Sequence, residues 1–71
     1  MSKTRTQSEM GNNIRKFRIE LGLTQIEVAE KSKISINYYA RVERGEVNPS
    51  VKTLESILKA LNVKSSRILP F

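Results

Sequence analysis

An all-α domain, a compact bundle of five short helices, is what this sequence predicts, and three observations carry it. Apolar residues recur at spacings of three and four, the repeat of one helix face. Gly22, Gly45, the run Asn48-Pro49-Ser50 and Asn62 cut the chain at regular intervals. No useful length of sequence alternates with period two, so no strand is expected.

Each element has its own signal. Met10, Ile14, Phe17 and Leu21 follow one another by four, three and four residues, and Gly22 stands where such a helix would stop in left-handed backbone. Gly11, Asn12 and Asn13 are poor helix formers, which places the start of the first helix between Ser8 and Asn13. Residues 1–7 then form a flexible, slightly basic tail ahead of a domain over 8–71. In the second helix Thr24 and Glu27 make a capping box, with Val28 and Ala29 as a narrow apolar face. Ser35 opens a third helix after a turn of about three residues, Lys33 and Ile34 included, and two short helices so joined are a helix-turn-helix. Ser50 caps a fourth helix through Asn62, striped by Leu54, Ile57, Leu58 and Leu61. A fifth helical turn is expected in "VKSSRILPF", from Val63.

Composition removes whole classes of function. With 71 residues the chain makes one small domain, which buries about 60% of the surface its unfolded form exposes. It has no cysteine and no histidine, which excludes disulfides, a Cys/His zinc site and His-dependent catalysis. No apolar run approaches the roughly 20 residues of a membrane span, and no secretory leader is evident; a cytoplasmic protein without cofactors is expected. Thirteen Lys and Arg against seven Asp and Glu leave a net charge of +6 and favour a polyanionic partner, although solubility alone also accounts for charge. The excess lies at the two ends, and residues 23–50 are neutral.

The neutral middle holds "SINYYARVERG", residues 35–45. On a helical wheel, Tyr39, Val42, Ser35 and Glu43 share an inward face, while Asn37, Arg41 and Arg44 gather near the opposite pole around the small Ala40. Ile36 and Tyr38 lie on the flanks. A short amide and an arginine beside a small residue suit the major groove, where Asn pairs with adenine and Arg with guanine, and Ile36 could meet a thymine methyl. A solvated helix face is the other reading that these residues allow.

From Ile14 to Leu61 the sequence resembles the Cro/repressor-type, or xenobiotic-response-element-type, helix-turn-helix domain. The elements "LGLTQ", "VAEKS", "IS", "RVERG" and "NPS" occur in that family's order. The resemblance implies a lambda-repressor-like, five-helix domain that binds double-stranded DNA, as a homodimer on a palindromic operator. It implies that Gln25 meets the DNA backbone, with Thr24 beside it, and that Ser35 caps the recognition helix. Ile36, Asn37, Tyr38 and Arg41 then meet base edges or flanking phosphates, and Arg44 and Asn48 grip the sugar–phosphate backbone. Arg18 and Glu43 match a structural salt bridge between the first and third helices. Three positions depart from the pattern. Lys33 stands where a turn glycine is common, Tyr39 replaces an aliphatic core residue, and Ile36 replaces a polar reader.

Other chemistry is weakly encoded. Ser56 and Lys59 match S-x-x-K, a short pattern inside an amphipathic helix, and no enzyme is expected. A protein-interaction adaptor on the same fold is the alternative class. The apolar end "ILPF", with Ile68, Leu69 and Phe71, is expected to join the fourth helix in a dimer seam, placing two recognition helices about 34 Å apart. A restriction–modification controller, a phage-type repressor and an antitoxin are the roles the resemblance admits. No small-molecule effector is implied, so concentration would set the switch.

Overall fold

The computed structural model describes residues 5–62, which fold into four helices: α1 (Arg5–Glu20), α2 (Gln25–Ser32), α3 (Ile36–Glu43) and α4 (Val51–Leu61). Among these residues there are four helices where five are expected and there is no strand. The expected fifth helix, and Ile68, Leu69 and Phe71 with it, lie outside the described residues.

Helix α1 is already formed at Arg5, the first described residue, ahead of the expected start between Ser8 and Asn13, so residues 5–7 are helical where a flexible tail is expected. Two things extend it. Arg5 Nε pairs with Glu9 Oε1 at 3.0 Å one turn on. Gly11, a weak helix former in isolation, is buried against the end of α3, where an added Cβ would lie 2.5 Å from the carbonyl oxygens of Val42 and Glu43. Close approach of two backbones, rather than helix propensity, explains that glycine. Leu21 belongs to the turn after α1 and is exposed, not part of the apolar face.

The core is one cluster drawn from all four helices. Ile14, Val28, Tyr39, Val42, Ile57 and Leu61 are fully buried, and Phe17, Leu23, Ile34, Val47 and Leu54 pack around them.

All four helices stop in left-handed backbone, α4 at Asn62 with φ 53°. In the first three, Gly22, Lys33 and Gly45 have φ of 72°, 60° and 72°, and each follows the last turn of its helix. Behind them, Leu23 donates to Arg18 O at 3.1 Å, Ile34 to Ala29 O at 3.1 Å and Glu46 to Arg41 O at 2.9 Å. These are the bonds that fold a chain back over the carbonyls a helix end leaves unpaired. Lys33 is the one of the three with a Cβ, so the turn between α2 and α3 carries left-handed strain that the other two stops avoid.

Candidate nucleic-acid interface

The site is built outward from a buried carboxylate. Glu43, in the last turn of α3, is 4% exposed and would be costly there without partners. Arg18 of α1 supplies a forked pair, Nε to Oε2 at 2.6 Å and Nη2 to Oε1 at 3.2 Å. Its third donor, Nη1, reaches Leu23 O at 2.9 Å. Gln25 Nε2, at the start of α2, donates to Glu43 Oε1 at 3.0 Å. Burial pushes the Glu43 carboxyl up, but the bonds from Arg18 and Gln25, with the nearby Tyr39 hydroxyl dipole, outweigh it and hold it below the usual range. The Glu43 bond holds the Arg18 guanidinium charged over a still wider range than usual.

Tyr39 fills the core next to this network. Burial, followed by the adjacent Glu43 carboxylate, pushes its phenol far above the ordinary range. Its hydroxyl lies near enough to feel that charge, yet makes no hydrogen bond of ordinary geometry. Here the replacement of an aliphatic core residue leaves a buried oxygen unpaired.

The two helix starts that frame the interface are capped by side chains. Thr24 Oγ1 accepts from Glu27 N at 3.1 Å, and Glu27 Oε1 accepts from Thr24 N at 2.9 Å, completing the capping box. Ser35 Oγ accepts from Tyr38 N at 3.1 Å. Ser35 is exposed rather than inward, because it precedes α3 in extended backbone (φ −69°, ψ 150°) where a helical wheel does not apply.

Along α3 the faces divide as the spacing predicts. Tyr39, Val42 and Glu43 are buried, and Ile36, Asn37, Arg41 and Arg44 are exposed. Tyr38 is half-buried, packed against the core. An open, mostly apolar groove of about 500 Å³ lies between α2 and α3, lined by Arg18, Leu23, Thr24, Gln25, Ile26 and Ile36. Asn48 is exposed in the loop beyond α3. Two links were not legible in the sequence. Gln25 is tied into the buried network, and Arg41 and Arg44 both pair with Glu46. The first needed a separation of 18 residues to close in space, and the second needed the left-handed stop at Gly45.

Ser56 donates its hydroxyl back to Lys52 O at 3.2 Å, an ordinary bond within α4, so its S-x-x-K pattern assembles no site. Among the described residues no acidic cluster could hold a metal ion, and no helix is long and apolar enough to cross a membrane.

A helix-turn-helix family model matches residues 14–68, more than half of the chain. The chain belongs to the Cro/repressor-type helix-turn-helix family. Within the family it is 42% identical over 60 residues to the immunity repressor protein of Bacillus phage phi105, covering 84% of this chain and 42% of that one. It therefore spans less than half the length of that repressor. Among solved structures of helix-turn-helix proteins, the restriction–modification controller C.AhdI from Aeromonas hydrophila superposes with a TM-score of 0.85 at 27% identity, covering 89% of this chain and 96% of that one. The controller protein C.Esp1396I, as a tetramer on its natural 35 base-pair operator, superposes at 0.83 with 34% identity, covering 90% and 84%.

Proposed function

We propose that this domain is a transcriptional regulator that binds double-stranded DNA sequence-specifically, as a homodimer on a palindromic operator, with α3 in the major groove. The observation that carries the reading is the outward face of α3, where exposed Asn37 and Arg41 stand beside half-open Ile36 on a helix whose opposite face is locked into the core. Asn37 and Arg41 have the donor and acceptor patterns that distinguish adenine and guanine, and Ile36 offers an apolar contact to a thymine methyl. Thr24 and Gln25 at the start of α2, Ser35 and Tyr38 at the start of α3, and Arg44 and Asn48 at its far end are proposed to meet phosphates on either side. Gln25 Nε2 carries two protons, so one can stay on Glu43 while the other meets a phosphate.

The operator-bound relative C.Esp1396I supports this reading, and the phage repressor and both controllers favour a small repressor or a restriction–modification controller as the role. Ile68, Leu69 and Phe71 are proposed as the dimer seam together with α4. A sedimentation experiment showing a monomer at tens of micromolar, with and without DNA, would refute the dimer.

Salt titration tests the binding mode. If each subunit engages about four phosphates, a dimer displaces about eight counterions, and log K against log salt falls with a slope near −7. A slope near zero, or no binding to any duplex, refutes the reading and favours an adaptor role.

A further inference from the structure

Arg41 and Arg44, the two cations at the outer end of α3, are not presented bare. Glu46 Oε2 accepts from Arg44 Nε at 2.8 Å, its Oε1 accepts from Arg44 Nη2 at 3.2 Å, and the same Oε1 lies 3.7 Å from Arg41 Nε. Backbone geometry explains how one carboxylate reaches both. Gly45 takes φ 72° and Glu46 N donates to Arg41 O, so the chain doubles back over the last turn of α3 and returns Glu46 to the arginines it has just left. All three side chains keep more than a third of their surface in water, so the pairs themselves add little to stability.

A carboxylate held by the two parallel donors of a guanidinium occupies the fork that would bind a phosphate in the same bidentate manner. We infer that Glu46 is an internal competitor for DNA phosphate, which occupies Arg44 and restrains Arg41 in the free protein and must be displaced or repelled when the helix docks. The inference rests on the DNA-binding reading above and assigns to Glu46 the setting of its affinity. Glu46 acts through Arg44, by occupying its fork, and the effect is to hold non-specific binding down.

The consequence is measurable on mixed-sequence duplex DNA. Giving up this exposed arginine–carboxylate fork when Arg44 turns to a phosphate weakens binding roughly threefold, so two protomers give close to tenfold. Glu46→Gln, which keeps the side chain's size, is expected to bind mixed-sequence duplex about tenfold more tightly than the parent. Its slope of log K against log salt should be steeper by about 1 per protomer, because one more cation on each exchanges counterions. The gain should shrink in an Arg44→Ala background. Equal or weaker binding by Glu46→Gln overturns the proposal and makes Glu46 a support that aims the arginines. A gain undiminished in the Arg44→Ala background also overturns it, since bulk charge then accounts for the effect. If the parent itself binds no duplex, the DNA-binding reading falls and takes this inference with it. Parent binding without a Glu46→Gln gain removes the inference alone.

Discussion

Arg18→Met puts the buried network to its hardest test. The substitution keeps an unbranched, helix-compatible side chain but removes the guanidinium, leaving the Glu43 carboxylate, 2% exposed along its side chain, with Gln25 as its remaining donor. Breaking a buried ion pair from one side costs about 3–5 kcal/mol, and the lost bond to Leu23 O adds about 1 kcal/mol. A chain of 71 residues has a total stability of about 4–11 kcal/mol at the usual value per residue, so the variant stands at the edge of unfolding. Glu43→Gln keeps an acceptor for Arg18, whose side chain is 13% exposed and reaches water, and should cost about 1.5–3 kcal/mol. The double variant Arg18→Met/Glu43→Leu buries no charge and should lie close to the parent. Urea unfolding followed by circular dichroism gives the order: double variant most stable, Glu43→Gln next, Arg18→Met last. Acid adds a second check. In the parent, Glu43 is held below its ordinary value near 4.5, so the pair's contribution is complete above that pH and is lost as the pH falls through the lower folded value. In Arg18→Met, burial is no longer outweighed and the folded value rises above the ordinary one. Its penalty is then present above the raised value and relieved as the pH falls, so the gap to the parent narrows on acidification. Arg18→Met as stable as Glu43→Gln, or a double variant as unstable as the summed singles, would refute the reasoning.

Three further outcomes follow from the same geometry. Lys33→Gly should raise stability by about 0.5–1 kcal/mol, relief of the left-handed strain being partly offset by glycine's greater unfolded entropy; a melt shows this as roughly 2–8 °C, and a lower midpoint contradicts the strain at φ 60°. Gly11→Ala should destabilise by about 1–3 kcal/mol although alanine is the better helix former, while Asn12→Ala, on the exposed side of the same helix, should stabilise by about 0.5 kcal/mol. Asn37→Ala and Arg41→Ala should each weaken the preferred DNA site by about 1–3 kcal/mol and relax base preference in a selection from random duplexes, and an unchanged preference with Arg41→Ala would remove it from the reading face.

Much of the fold was legible because its signals are local. The capping box at Thr24 and Glu27, the caps at Ser35 and Ser50, and the stripe from Leu54 to Leu61 each need only one helix to make sense. The division of α3 into Tyr39 and Val42 inside and Asn37 and Arg41 outside likewise follows from 100° per residue. What escaped depends on contacts between distant segments. Gly11 looks like a helix breaker until α3 is laid across it, and that packing lets α1 run through it without a break. Ser35 looks inward on a wheel until its extended backbone takes it off the helix. Glu46 looks like one charge among several in a neutral stretch until the stop at Gly45 turns it back onto Arg44.

The convergence on Glu43 joins stability to the interface and lets the two be separated. Arg18 comes from α1, Gln25 from the start of α2, and Glu43 belongs to α3, so a single carboxylate sets how the first residue of α2 sits against the outward-facing helix. An apolar replacement can fill the same volume but offers Gln25 no acceptor. The Arg18→Met/Glu43→Leu variant should therefore recover the parent's unfolding midpoint without recovering its affinity for duplex DNA. The shortfall should match that of Gln25→Ala, which weakens all sequences about equally because a phosphate contact carries no base information. Gln25→Ala should also cost about 1 kcal/mol of stability through its lost bond to Glu43. Unfolding curves and duplex titrations on the same preparations decide the matter. Full recovery of affinity in the double variant would mean that the network holds the fold alone and leaves the position of Gln25 unaffected.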